Sequence, residues 1–187
     1  MSVSPTPDSS RRRVRLGAFG LAVLLTACGR DGEEPLVLSN EPTPIEELQD
    51  DASVGTEVDL DFTTLDGRSS NFTVYAGAPL VINFFARTCP PCVREMPEFD
   101  AVFQAQAGTV AFVGISTDPR IEDAEILVEQ TGVTYDLGWD PAAALFTQFG
   151  GIVMPTTVFV DATGVVREVW SGVLTADDLT AKIEAIR

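Results

Sequence analysis

Two cysteines three positions apart, in Cys89-Pro90-Pro91-Cys92, are the residues of this chain best equipped for chemistry. At that spacing, where an apolar run gives way to a helical pattern, a thiol pair suits disulfide exchange. The run before it, Leu80-Val81-Ile82-Asn83-Phe84-Phe85-Ala86, is short, β-branched and aromatic and follows Gly77 and Pro79, which predicts a buried strand. From Val93 to Ala107, Val93, Met96, Phe99 and Phe103 recur at three- and four-residue steps, the spacing of one apolar helix face. Cys89 then stands at a helix N-terminus, where free amides and the macrodipole favour a thiolate. Cys92, one turn inside, can attack a mixed disulfide formed on Cys89.

Other uses of the pair fit less well. A structural zinc site takes four Cys or His ligands, whereas the chain has three Cys and no His, so no metal is expected. Covalent haem requires His directly after the second Cys, where Val93 stands. A passive disulfide across so short a loop gains little from chain entropy.

The N-terminus reads as a targeting segment. Arg11, Arg12, Arg13 and Arg15 precede an apolar stretch, Leu16 to Ala27, that is short for a membrane span. It ends in Leu25-Thr26-Ala27-Cys28, which resembles the bacterial lipoprotein processing site. That resemblance implies lipidation of Cys28 and removal of residues 1–27; ordinary signal cleavage beside a bystander Cys is the alternative. Ser10-Arg11-Arg12-Arg13-Val14 also fits a twin-arginine pattern loosely, leaving both export routes open. With Cys28 acylated, the odd cysteine is accounted for and only the working pair remains.

Residues 28–52 are rich in Asp, Glu and Pro with few large apolar groups, and predict a flexible acidic tether reaching about 25–30 Å from a membrane. Removal of residues 1–27 would take the formal charge from −16 to −19, a poor match for nucleic acid. The remaining segment, 53–187, suits one core.

Within it, 57–62 and 71–75 alternate with period two around Asp66-Gly67, predicting a hairpin. Further strands are expected at 80–86, 110–115, 156–160 and 165–170. Helices are expected from near Pro91, at 121–130, at 141–149 with Pro141 in the first turn, and from an N-cap at Thr175 to Ile186. This order is α/β with a central mixed sheet.

The segment Asn83 to Pro97 resembles the active-site segment of thioredoxin-fold proteins, in particular the membrane-anchored TlpA/ResA-like branch. Gly150-Gly151-Ile152-Val153-Met154-Pro155-Thr156-Thr157, continuing to Gly164, resembles that family's cis-proline loop and following hairpin. The resemblance runs from about Gly55 to the end. It implies a thioredoxin-like three-layer α/β/α fold with an extra N-terminal β-hairpin. It also implies Cys89 as exposed nucleophile, Cys92 as buried resolving thiol and Pro97 as a kink in the active-site helix.

Family members usually carry Trp before the first Cys; Thr88 here opens the rim and changes the docking surface. Thioredoxins generally carry an acid six residues before that Cys, where this chain has Asn83, while the resembling branch has Glu at the place of Glu95. Glu95 is either a solvated helix carboxylate or the acceptor of the Cys92 proton. Pro155 would be cis and, with Met154, offer backbone and an adaptable apolar contact to an extended client; core packing is the alternative for Met154.

The implied activity is that of a lipid-anchored thiol–disulfide oxidoreductase outside the cytoplasmic membrane, using the Cys89–Cys92 disulfide with no dissociable cofactor. Its partners would be exported thiol or disulfide proteins, apocytochrome c among them, and a membrane electron donor. Reduction is the direction the branch favours; general oxidative folding is the alternative. A copper carrier of this fold would want a distal His, which is absent, leaving Met154 as substitute ligand. A peroxidase of the peroxiredoxin group would want Thr-x-x-Cys, whereas Thr88 precedes Cys89 by one position and Cys92 by four.

Overall fold

The computed structural model describes residues 53–106 and 108–187. The signal segment, Cys28 and the whole tether expected at 28–52 lie outside the described residues. In chain order the elements are β1 (Asp61–Thr64), β2 (Ser69–Asn71), β3 (Leu80–Phe85), α1 (Pro90–Ala105), β4 (Ala111–Ser116) and α2 (Ile121–Thr131). There follow β5 (Asp136–Trp139), α3 (Ala144–Gln148), β6 (Thr156–Val160), β7 (Val166–Ser171) and α4 (Ala176–Ala185).

The strands form one mixed sheet in the order β2-β1-β5-β4-β3-β6-β7. β3 pairs parallel with β4 and antiparallel with β6, and every residue of β3 and β6 is buried. That explains the unbroken apolar run at 80–85: a strand covered on both faces has no polar side to show. Its two-residue period still sorts the side chains. Val81 and Phe85 join Met96, Phe99, Leu127, Leu179 and Ile183 on the face covered by α1, α2 and α4. Leu80, Ile82 and Phe84 join Phe62, Phe72, Phe149 and Val158 on the other. There the outer layer is thin, made of α3, a 3-10 turn over Phe72–Tyr75, and the segment leading into β1.

Several expectations need correction. The N-terminal hairpin exists but is shifted: Asp61 pairs with Asn71 and Thr63 with Ser69. Residues 72–75 are a 3-10 turn because the Asn71 side chain accepts the Thr73 N–H at 2.8 Å and Phe72 leaves the alternation to stack on Phe62, with ring centroids 4.7 Å apart. Before β1, Glu57 makes an isolated bridge to Val165 rather than entering the hairpin.

β5 was not expected at all, yet it joins β4 to β1. It has four residues, and one is Gly138, where a Cβ would lie 2.6 Å from Ile115 Cδ1 and 2.9 Å from Phe62 Cδ2. The helix expected at 141–149 starts only at Ala144. Asp140 takes the capping role, its carboxylate accepting the N–H groups of Ala144 at 2.9 Å and Phe146 at 3.1 Å, while Ala143 turns left-handed at φ 51°. The Thr175 cap is as expected, a reciprocal box with Asp178 at the third helical position.

Candidate active site

β3 delivers the chain to the cysteines. After Phe85 it turns, and the Arg87 N–H donates to both carboxylate oxygens of the buried Asp118, at 3.0 and 2.9 Å. Asp118 is itself fixed by the Ser116 hydroxyl at 2.9 Å, and its carbonyl accepts the Trp139 indole N–H at 2.7 Å. An exposed ion pair, Arg87 to Asp123 at 2.7 Å, ties the same loop to α2. The Cys89 N–H then donates to the Ala86 carbonyl at 3.0 Å, closing the turn into α1.

Cys89 is the N-cap of α1, with Pro90 and Pro91 in the first two helical positions. Those prolines carry no N–H. The described donor to Cys89 Sγ is the Cys92 amide, at 3.2 Å, while the Val93 amide is engaged by the Cys89 carbonyl. The cysteines are joined as a disulfide with Cα atoms 5.3 Å apart. Cys89 keeps 9% of its surface and Cys92 none, so a partner can reach the pair only from the Cys89 side. Thr88 and Pro90 beside it are exposed. α1 runs on through Pro97, which lies inside the helix.

Glu95 does not face solvent. It is 2% exposed, on the core side of α1 shared with Cys92, Met96 and Phe99. Its Oε1 accepts from Asn83 Nδ2 at 3.1 Å and its Oε2 from the Leu174 N–H at 3.3 Å. Burial pushes its pKa up from 4.5 to about 7, against the two hydrogen bonds that favour the carboxylate. A carboxyl that changes charge near neutrality, within the helical turn that holds a buried thiol, has the property required of a proton acceptor.

The third component is the loop before β6. The Met154–Pro155 bond is cis, and Pro155 is buried. Since Phe84 pairs with Thr156, this loop and the approach to Cys89 leave neighbouring strands at the same end of the sheet. The Pro155 carbonyl is occupied by the Gly172 N–H at 2.8 Å. Met154 is half-buried against the helical-side core, with its sulfur 3.7 Å from the Thr117 hydroxyl. Ile152 and Val153, just before it, are 82% and 53% exposed.

Sequence reasoning missed Asp118, Thr117 and the bonding role of Asn83. Asn83 was legible as a polar residue in an otherwise apolar strand, a signal that asks for a buried partner. Asp118 carries no such signal: beyond the nearby Ser116 hydroxyl, the group it holds is the Arg87 N–H, brought near only by folding. Among the described residues no cluster of three or more His, Cys, Asp or Glu is arranged to hold a metal ion.

Residues 54–169 match the AhpC/TSA family. Thiol-disulfide oxidoreductase ResA of Geobacillus thermodenitrificans is 29% identical over 135 residues, covering 71% of this chain and 76% of that protein. Thioredoxin-like protein YneN of Bacillus subtilis is 26% identical over 129 residues, covering 67% and 75%. Among solved structures, MTB dsbF in its mixed oxidized and reduced forms superposes with a TM-score of 0.66 at 27% identity, over 72% of this chain and 99% of that one. A thioredoxin-family thiol:disulfide interchange protein from Chlorobium tepidum gives 0.62 at 26%, over 72% and 96%. The thioredoxin-like fold is thereby established.

Proposed function

Because the chain belongs to the AhpC/TSA family within the thioredoxin superfamily, and is a thiol–disulfide oxidoreductase, we propose that it reduces disulfides of exported proteins while tethered by a lipid on Cys28 to the outer face of the cytoplasmic membrane. A Cys89 thiolate attacks one sulfur of a client disulfide, forming a mixed disulfide and releasing the other client sulfur as thiolate. Cys92 gives its proton to Glu95, and the resulting thiolate attacks Cys89 Sγ. The second client sulfur leaves as a thiolate. The client has then gained two electrons, the protein holds the Cys89–Cys92 disulfide, and a membrane-embedded donor of electrons restores the dithiol. No dissociable cofactor enters this cycle.

The observation that carries the reading is Glu95, buried beside the resolving cysteine with a pKa of about 7. Thr88, Met154 and Pro155 would form the rim against which an extended client lies. Reduction rather than oxidation is supported by features that offset the pull of the helix N-terminus toward a Cys89 thiolate. Two prolines remove amide donors from the first turn, and the neighbouring carboxylate and the formal net charge, −19 once residues 1–27 are removed from the −16 of the full chain, oppose a further negative charge. A poorly stabilised dithiol form is the stronger reductant.

The deciding measurement is the equilibrium potential of the pair. A value at or below that of thioredoxin, about −270 mV, is expected, and one near −120 mV would make the protein an oxidant. Cys92→Ala should trap clients as mixed disulfides and Cys89→Ala should not. Fatty-acid labelling of the wild type but not of Cys28→Ala tests the anchor; release of an unlabelled wild type would remove it.

A further inference from the structure

Beneath Glu95 lies a polar group that the exchange reaction does not use directly. Asn83, 2% exposed on β3, points its Nδ2 at Glu95 Oε1 at 3.1 Å and at the Thr157 hydroxyl at 3.3 Å. Its Oδ1 is buried without a partner. This arrangement suits a charged Glu95, since the carboxylate accepts from Asn83 and from the Leu174 amide. It does not suit a protonated one. The Leu174 N–H is a fixed backbone donor, so the carboxylic proton belongs on Oε1, where it would meet the two hydrogens of Nδ2 and no acceptor.

We propose that the Asn83 side-chain amide turns over to follow the proton on Glu95, presenting nitrogen to the carboxylate and oxygen to the carboxylic acid, with the Thr157 hydroxyl reversing in step. Half a turn of the amide puts Oδ1 where Nδ2 stands. It then accepts from Glu95 Oε1–H and, with its second lone pair, from the Thr157 hydroxyl, which can donate as readily as accept. Two hydrogen bonds exist in each orientation. The rotation breaks nothing on the far side, because Oδ1 has no partner to lose.

Asn83 is thus a positioning residue: it keeps a hydrogen bond to the buried carboxyl whether that group holds its proton or not, while the far end of the amide stays unpartnered in either orientation. An aspartate at this position would instead add a second buried negative charge. The other titratable groups around Glu95 do not substitute for it. Glu98 raises the Glu95 pKa by like charge and has its own partner in the Ala176 N–H at 3.1 Å. Tyr135, in the same core cluster as Cys92 and Met96, has its pKa pushed up by burial and then by the charges of Glu95 and Asp100, and its hydroxyl has no partner. The inference rests on Glu95 as acceptor of the Cys92 proton for its catalytic meaning.

The test is NMR of the full-length protein in micelles, with 13C in Glu and 15N in Asn, between pH 5 and 9. The Glu95 carboxyl and the Asn83 side-chain amide should titrate with one midpoint, near 7. Contacts from the Asn83 Nδ2 protons to the Glu95 methylenes should be present above it and lost below. Asn83→Leu should raise the Glu95 midpoint by at least one pH unit, lowering the ratio of carboxylate to acid tenfold at a given pH. It should slow resolution of a mixed disulfide there while sparing the first attack by Cys89. Amide resonances and contacts of Asn83 that stay the same across the midpoint would overturn the proposal, and so would a folded Asn83→Leu with an unshifted midpoint. Should Asn83→Leu not fold, the wild-type titration alone decides. Wild-type resolution rates in Glu95→Gln would remove the proton-acceptor reading, and the same titration would still decide the amide's behaviour.

Discussion

Glu95→Gln is expected to stabilise the oxidised protein at pH 8 and to leave it nearly unchanged at pH 4. The carboxyl is buried, and its pKa rises from 4.5 to about 7 on folding. The folded state therefore holds the proton more tightly than the unfolded chain. Below pH 4.5 both states are protonated and the stabilisation is fully present. As pH climbs through the window to about 7, the unfolded chain releases the proton first and stability falls; above it the whole penalty remains. At about 1.4 kcal/mol per pH unit the loss comes to about 3 kcal/mol. Glutamine escapes it. Its carbonyl can accept from Leu174, and its amide can donate to Asn83 Oδ1 once the Asn83 amide turns over. The advantage of the variant should grow to about 3 kcal/mol at pH 8, on the order of 10 °C in Tm for a domain this size. Guanidinium unfolding of the oxidised protein at several pH values, followed by the fluorescence of Trp139 and Trp170, reads it directly. A difference between the two proteins that is flat from pH 4 to 8.5 would refute the reasoning.

Three further outcomes follow from packing and hydrogen bonding. Asp118→Ala removes the acceptor of the Arg87 N–H and should cost about 2–3 kcal/mol in denaturation, with faster alkylation of Cys89 in the reduced protein as its loop loosens. Gly138→Ala places a methyl 2.6 Å from Ile115 Cδ1 and 3.0 Å from the Thr63 carbonyl, and should destabilise by about 1–3 kcal/mol without altering the potential of the pair. Thr175→Ala deletes the cap of α4 and should lower stability by about 1 kcal/mol, measured by the same unfolding assay.

The parts of this molecule that were legible in its sequence are those where local preference and tertiary role agree. The 80–85 run is apolar because both faces of β3 are covered, and the Cys89 N-cap follows from the prolines and the helical pattern behind it. Thr175 and Asp178 announce α4 for the same reason. β5 was invisible because Asp136-Leu137-Gly138-Trp139 is only four residues long and is interrupted by Gly138, which is suited to the closeness of Ile115 and Phe62 rather than to being a strand former. Pro141 looked like a helix start, but the Asp140 carboxylate sets the start three residues later. At the site, the two thiols and the alternatives for Glu95 could be named beforehand. The burial that shifts Glu95 could not, since folding creates it, nor could the opposing hydrogen bonds from Asn83 and Leu174, 12 and 79 positions away.

The mounting of the redox pair on interior strands has a consequence for which clients it can serve. β3 and β6 are flanked on both sides and buried throughout, so the amides of Ile82 to Phe85 should exchange with solvent only when the domain unfolds as a whole. The edge hairpin of β1 and β2 can open locally; the platform under Cys89 cannot. A collision between such a platform and a native disulfide locked in a compact protein brings two rigid bodies together, and neither can bend to align three sulfurs. The flexibility has to come from the client. Unfinished chains, with their cysteines still on mobile segments, meet that demand, and folded proteins with buried disulfides do not.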